Sequence, residues 1–266
     1  MKTGAAHRFY PFAAALVIWL NGCGSSDRRV LEEVVEKVYS IETDANVNIQ
    51  NRDGAVLVYG GAPNEVRVQA IKKAYSRERL NQIDIDVSRK PGGVSVTTRL
   101  PALQKWALSD RSGTVDYTVV VPETASISKL EMNSGEVLLD SIRGPEVRAQ
   151  LNDGRIFARN CFTNLDLATR RGTLTLTYDW WEQKQFSAQV NVRQGNVWLF
   201  LPTESAFRLI AEAVHGKIAN DFNNRPLSAN YSARGLRIDQ LINGGGSTLI
   251  QVQVGTGNIK IAEANL

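Results

Sequence analysis

Histidine and cysteine, which carry much of the chemistry of enzymes and metal sites, are scarce in this sequence. The chain has 266 residues but only two histidines and two cysteines. A serine or cysteine nucleophile needs a neighbouring base, most often histidine, and a structural zinc site needs four ligands that are usually Cys or His. His215 is the only histidine beyond residue 22, and Cys161 is the only cysteine beyond residue 23. We therefore expect no catalytic residues of this kind, no metal site and no cofactor.

An excess of charge of one sign is also lacking. The formal net charge is +4, with 31 basic and 27 acidic residues. The first 22 residues contribute Lys2 and Arg8 and no carboxylate, so 31 − 2 = 29 basic residues face 27 acidic ones in the remainder. The basic residues are scattered among acidic ones, whereas nucleic-acid binding needs a clustered basic surface. We expect no nucleic-acid partner.

The only long apolar run lies at the start of the chain. It extends from Phe9 to Leu20, after Lys2 and Arg8, and is shorter than the roughly 20 residues that span a bilayer. Basic residues followed by a short apolar run are typical of a secretory signal. The next residues, L-N-G-C from Leu20 to Cys23, resemble the lipobox of bacterial lipoproteins. That resemblance implies cleavage before Cys23, which then carries the lipid as the first residue of the mature chain.

The lipobox implies a division of the chain and a location. Residues 1–22 are the signal peptide, residues 23–33 are the lipidated cysteine with its tether, and residues 34–266 form the domain. Several acyl chains hold a protein stably on a membrane, because each buried methylene contributes about 0.8 kcal/mol. Gly24, rather than Asp, follows the cysteine, which by the same resemblance indicates the outer membrane of a Gram-negative bacterium. A secreted protein with a free cysteine and an uncleaved membrane anchor are the alternatives.

Glycines recur at a regular interval along the rest of the chain. The stretch Leu130–Leu139 has polar and apolar residues in alternation on both sides of Gly135, which predicts strand, tight turn, strand. Successive intervals from Gly135 are 19, 18, 23 and 21 residues, and the last gap of 41 residues equals about two such units. The glycines of this series are Gly54, Gly135, Gly154, Gly172, Gly195, Gly216 and Gly257.

Side-chain character is conserved between the units at fixed distances from each glycine. The residues two after and five before the glycine are apolar in all seven units, as Val137 and Leu130 are around Gly135. The residues four before it are polar in every unit except at Ala168. One face of each unit is therefore expected to be buried and the other exposed.

This regularity predicts an all-β, single-domain β-solenoid, or β-helix-like roll, with strand-turn-strand repeats of about 20 residues. Further alternating strands at 66–71, 83–87, 94–98 and 115–121 predict an N-terminal β-meander that caps the array. Residues 30–41 are expected to form a strand as well. A β-sandwich whose strands share turn chemistry is the alternative.

The order of these segments resembles the bacterial putative-adhesin domain of unknown function. The resemblance covers Val34–Ala264 and implies an all-β, solenoid-like fold without established catalytic residues. Its motifs are N-R-D-G-A-V, V-R-V-Q-A-I-K-K-A, I-D-I-D-V, V-D-Y-T-V-V-V-P, L-P-T-E-S-A-F-R-L and V-H-G-K-I.

Two surface features are candidate binding sites. The first is an apolar row three residues after the turn glycine, on the face that alternation sends outward: Leu138, Phe157 and Trp198. Apolar side chains in a row are unusual on a solvent-exposed face, so the row is either a docking strip or is covered by the meander or a loop.

The second candidate is an insertion that contains Asp179, Trp180 and Trp181. Tryptophans with neighbouring carboxylates can stack on sugar rings and bind hydroxyl groups, although one ring can instead pack on the domain. Together these features predict a non-catalytic adhesion or scaffolding module, anchored to the membrane, with an envelope protein or a glycan as its partner. The alternative is a polysaccharide-active enzyme that uses Asp140 and Asp179 as its carboxylates.

Overall fold

The protein is all-β, and every strand described belongs to one hydrogen-bonded sheet. The computed structural model describes residues 30–61, 64–101, 113–222, 230–232 and 235–264. The strands are β1 Leu31–Ser40, β2 Asn46–Gly60, β3 Glu65–Ala74, β4 Asp84–Lys90, β5 Gly93–Arg99, β6 Thr114–Val121, β7 Ser126–Asp140, β8 Glu146–Arg159, β9 Asn164–Thr177, β10 Ser187–Leu201, β11 Phe207–His215, β12 Ile218–Asp221, β13 Asn230–Ser232, β14 Gly235–Ile242, β15 Leu249–Thr256 and β16 Ile259–Glu263.

The centre of the sheet is a parallel array in the order β2-β7-β8-β9-β10. Beyond β10 come β15 and then β11 on one half of the array, and β16 and then β12 on the other half. The strands pair in register through their glycines: Gly54 opposite Gly135, and then Gly154, Gly172 and Gly195 in turn. The glycine alignment made from the sequence is therefore confirmed for these strands.

The glycine forms a corner inside a strand, and the predicted tight turn between two paired strands is wrong. Met132 and Val137 are five residues apart and both are buried, although residues five apart on a regular strand face opposite sides. Gly135 between them has φ 131°, a conformation that rotates the chain so that both halves of β7 direct the same face inward. The strand-turn-strand unit predicted around Gly54 is likewise one continuous strand, β2, which pairs in parallel with β7.

The short connections require the strands to bend at this corner. A straight strand of 15 residues would be roughly 50 Å long, and β7 has 15. Only residues 141–145 join it to β8, which lies parallel to it, and such a link covers at most about 20 Å. Each central strand therefore consists of two limbs that meet at the glycine, and the chain returns to begin the next strand.

Close backbone packing explains why the corner is glycine. A Cβ on Gly172 would lie 1.7 Å from the carbonyl oxygen of Gly154, and the other corners are equally crowded. The apolar positions on either side fill the interior: the residues five before the glycine are buried in all seven units, and those two after it are buried except at Ile218, which is partly buried.

The C-terminal part of the chain departs from the predicted order. The strand-turn-strand unit predicted around Gly257 is not a hairpin, because β15 and β16 both run parallel to β10. Together they form one more bent unit, inserted between β10 and the unit made by β11 and β12. The gap of 41 residues therefore holds one bent unit, not two, together with the antiparallel strands β13 and β14.

The N-terminal strands lie at the opposite end of the array, as expected, but they are not a simple meander. β6 pairs with one limb of β2 and β5 with the other, and the outer order is β1-β3-β6. Strand β1 confirms the predicted strand at residues 30–41 and begins ahead of the domain boundary proposed at residue 34. A short helix, α1 Arg77–Asn81, was not predicted. Ser76 caps it, and Leu80 anchors it in the core.

Candidate functional site

The apolar row lies at one level across consecutive strands. Leu138 on β7 pairs with Phe157 on β8, and Thr175 on β9 lies between Phe157 and Trp198 on β10. Three strand spacings of about 4.8 Å separate Leu138 from Trp198, which gives roughly 14 Å. Phe157 is 37% exposed and Trp198 is 44% exposed, while Leu138 is half-buried. The two largest members of the row therefore remain accessible to a partner.

The two adjacent tryptophans have different environments. Trp181 is partly buried in an aromatic cluster, with ring centroids 5.5 Å from Tyr178, 5.8 Å from Phe186 and 5.6 Å from Phe207. Trp180 is 42% exposed, although its ring lies 5.7 Å from that of Phe162. Only Trp180 therefore presents much of its ring to solvent.

Ionic contacts hold the segment that carries these tryptophans. Glu182 accepts hydrogen bonds from both terminal nitrogens of Arg143, at 3.0 and 2.6 Å, and a third from Trp180 Nε1 at 3.0 Å. Arg143 also lies 5.4 Å from the ring centre of Phe162. The hydrogen bonds from Arg143 lower the pKa of Glu182. The segment is thus fixed to the preceding turn and holds Trp180 in one orientation.

Asp179 is engaged in a local network. It accepts hydrogen bonds from Nε and an Nη of Arg159, at 2.8 and 2.5 Å, and from the amide of Asn160 at 2.9 Å. Partial burial raises the pKa of Asp179, but the hydrogen bonds from Arg159 and Asn160 outweigh burial, so the net pKa lies below its usual value. The carboxylate is therefore ionised at neutral pH.

This network bears on the enzymatic alternative. A glycosidase needs one carboxylic acid with a raised pKa to protonate the leaving group. Asp179 has a lowered pKa, and Asp140 accepts a hydrogen bond from Ser141 while an Nη of Arg159 lies 4.0 Å away. Arg159 thus lies between two carboxylates as their shared cation, an arrangement that stabilises the charged form of Asp179 and disfavours it as a proton donor.

A polar groove of about 950 Å³ crosses the outer face of the first limbs. Its floor contains six residues that lie four before a corner glycine, together with Thr97, which pairs with Gln50, and these seven residues form a row that pairs in register from β5 to β15. The row consists of Thr97, Gln50, Glu131, Gln150, Ala168, Asn191 and Gln253. Two residues further along the same strands lies a second row that contains Asn133, Asn152 and Arg193. The sequence pattern identified the first row as outward-facing but did not predict that it lines a groove.

Cys161, the histidine and potential metal ligands offer no further site. Cys161 is fully buried, and burial raises the pKa of its thiol to about 12. His215 is exposed near a corner. In the part of the chain that the structure describes, no group of three His, Cys, Asp or Glu side chains comes close enough to hold a metal ion.

The lipidation site cannot be placed on this structure. Cys23 and the whole of residues 1–29 lie outside the described residues. Among the residues that are described, no helix has the length and apolarity needed to cross a membrane.

Comparisons with known proteins return only distant structural similarity. The chain matches no protein-family model and no curated protein. The crystal structure of a putative cell adhesion protein from Clostridium sporogenes aligns over 87% of this chain and 100% of its own, with 14% identity and a TM-score of 0.47. A putative adhesin from Bacteroides fragilis aligns over 86% of this chain and 97% of its own, with 10% identity and a TM-score of 0.30. At these values the similarity does not identify a function.

Proposed function

We propose that this protein is a lipid-anchored protein of the cell envelope whose domain is a non-catalytic β-solenoid that binds an extended partner. The observation that carries the proposal is the register of the parallel strands, which repeats the same outward side-chain position at every strand spacing. A surface that repeats in one direction offers equivalent contacts to a partner that is itself extended.

Hydrogen bonds in the connections between the bent strands also support the proposal of a solenoid. After the second limb, the backbone N–H of Ser141 donates to Arg159 O, that of Asn160 to Thr177 O, and that of Tyr178 to Phe200 O, each at 3.0 Å. The strand ladder thus continues into the connections. Further along, Thr163 donates its hydroxyl to the carbonyl of Gly144, so neighbouring connections are bonded as well.

The lipid anchor at Cys23 is tested by replacing the acylated residue. Cys23→Ser should abolish labelling by radioactive palmitate and move the protein from the membrane fraction to the soluble one, because multiple acyl chains supply stable membrane attachment. Fractionation of inner and outer membranes then tests the expectation from Gly24. Unchanged membrane retention of Cys23→Ser would contradict the anchor.

The binding role of the apolar row is tested by replacing its exposed members. The double variant Phe157→Ser, Trp198→Ser should keep its thermal unfolding midpoint and lose retention of envelope proteins in a pull-down. Leu241→Ser is the matched control, since Leu241 is 59% exposed on β14, outside the row. Loss of folding in the double variant would mean that the row is packed within the protein, and retention equal to the control would exclude the row as a docking strip.

Catalysis is tested directly. Incubation of the purified chain with envelope polysaccharides should release no reducing ends, and steady release that Asp179→Asn abolishes would overturn the non-catalytic proposal.

A further inference from the structure

We propose, building on the non-catalytic binding function above, that the polar groove binds a linear 1,4-linked polysaccharide carrying hydroxyl and acetamido groups. The chain of sugars would lie across the strands, along the row from Thr97 to Gln253. Three properties of the groove carry this assignment: its spacing, its charge and the gap in its row at Ala168.

The spacing of the row matches a sugar chain better than a peptide. Neighbouring row members are one strand apart, about 4.8 Å, and an extended peptide advances only about 3.3 Å per residue. Successive peptide residues would therefore not coincide with successive strands. One pyranose unit in an extended 1,4-linked chain advances by about one strand spacing, so successive sugars meet equivalent side chains.

The side chains of the groove suit hydroxyl and amide groups. An Asn or Gln side chain both donates and accepts hydrogen bonds, as a sugar hydroxyl or an acetamido group does. The amides already pair with their neighbours along the rows: Asn152 donates to Asn133 Oδ1 at 3.2 Å, and Gln50 donates to Glu131 Oε2 at 3.4 Å. Asn133 and Asn152 are exposed and Gln50 is partly exposed, so these amides can exchange their bonds for bonds to a ligand at little cost.

Local ion pairs offset part of the charge of the groove. Arg52 pairs with Asp53 at 2.8 Å, Arg170 pairs with Asp153 at 2.9 Å, and Lys129 lies 3.1 Å from Glu131. Arg171 shares Asp153 with Arg170, and Arg193 also lines the groove, so a small excess of positive charge remains, without the continuous basic row that a polyanion such as a nucleic acid needs. Because a neutral chain releases few counterions, its binding should depend little on salt.

The interruption of the row supplies a recess. Ala168 on β9 lies between Gln150 on β8 and Asn191 on β10, and its methyl group is the smallest side chain of the row. A long amide at this position would complete the row, whereas alanine leaves room between two flanking amides. An acetamido group fits this setting, because its methyl can contact Ala168 while its N–H and C=O meet the flanking side chains.

The experiment is titration of the full purified chain with chito-oligosaccharides of two to eight units, followed by calorimetry. Affinity should rise with length up to about six units and then level off, because the row spans six strand spacings, roughly 29 Å. Cello-oligosaccharides of equal length, which lack the acetamido group, should bind more weakly. Raising the salt concentration from 50 to 500 mM should change the affinity less than two-fold.

Two pairs of variants on the same strands separate groove binding from general surface effects. Asn191→Ala with Gln253→Ala removes two adjacent members of the row and should weaken binding of the hexamer by at least ten-fold, since one net hydrogen bond corresponds to roughly five-fold. Gln189→Ala with Gln251→Ala is the matched control, because these glutamines are exposed on β10 and β15, pair with each other, and lie outside the groove. Ala168→Gln should fill the recess and reduce the preference for chito- over cello-oligosaccharides.

The outcomes distinguish this inference from the proposed function. Length-dependent binding that only the groove variants weaken supports the groove as a glycan site. Absence of binding, or binding lost only in Trp180→Ala, overturns the groove assignment and leaves the non-catalytic binding module standing. Equal affinity for an unstructured peptide of the same length also overturns it. Release of new reducing ends during the titration would instead overturn the non-catalytic function.

Discussion

Replacing one corner glycine by alanine should destabilise the domain far more than replacing a glycine whose Cβ would meet open space. Gly172 has φ +141°, where a residue with a Cβ is strained by about 1 to 3 kcal/mol. Its new Cβ would also lie 1.7 Å from the carbonyl oxygen of Gly154, and relieving such overpacking costs typically about 1 to 3 kcal/mol. Gly172→Ala should therefore lower the free energy of unfolding by about 2 to 6 kcal/mol.

Two other glycines separate the cost of a positive φ from the cost of the close backbone contact. Gly92 also has a positive φ, +73°, but its Cβ would have no other described atom within 4 Å, so Gly92→Ala should cost only about 1 kcal/mol. Gly61 has neither feature, and Gly61→Ala should leave stability unchanged or raise it slightly, because alanine restricts the unfolded chain.

The assay is urea unfolding of the purified chain, followed by circular dichroism and analysed for the midpoint and the slope. The decrease in the free energy of unfolding should be largest for Gly172→Ala, smaller for Gly92→Ala and absent for Gly61→Ala. The slope of that free energy against urea concentration should stay constant. A loss for Gly172→Ala no larger than that for Gly92→Ala would refute the close approach of the corner backbones as the reason for glycine.

Three further predictions concern side chains near the tryptophan segment. Trp181→Ala should lower the free energy of unfolding by about 3 kcal/mol or more, because Trp181 packs in the aromatic cluster. Trp180→Ala should lower it by about 1 kcal/mol or less. Equal decreases in a urea titration would contradict the difference in packing. The lowered pKa of Asp179 contributes stability above the ordinary aspartate pKa, and that contribution is lost as pH falls through the lower folded pKa. Asp179→Asn should therefore destabilise the protein more at pH 7 than at pH 2, and an equal effect at both pH values would exclude the pairing with Arg159 as its cause. The Cys161 thiol should resist labelling by a disulfide reagent at pH 8 in the folded protein and react rapidly in urea, since its pKa is raised to about 12 by burial; fast labelling without urea would show that the site opens.

The sequence pattern predicted which side chains are buried but not the path of the chain. Leu130 and Val137 are both buried, as expected from their positions around Gly135. A pattern of alternation records the direction of side chains, and a change in that direction at a glycine suits a tight turn as well as a corner within a strand. Only the parallel pairing of β7 with β8 distinguishes the two, and that pairing depends on residues far apart in sequence.

Strand order was equally hard to predict. Regular spacing indicates that units stack, but not that β15 and β16 lie between units that precede them in the chain. The separate environments of Trp180 and Trp181 depend on Phe186 and Phe207, which approach Trp181 only in the folded protein. The polar groove depends on the pairing of strands that are far apart in the sequence, such as β2 with β7 and β10 with β15, for which alternation carries no signal.

The placement of β15 and β16 has a consequence for the order of folding during synthesis. Residues 249–263 separate β10 from β11 and β12, although the ribosome makes those residues last among the three. The array therefore cannot grow by adding one unit after another as the chain emerges. Until residues 249–263 arrive, β10 and β11 each keep an unpaired edge, which is the kind of surface that recruits chaperones and proteases. The array can therefore be completed only after residues 249–263 have been synthesised.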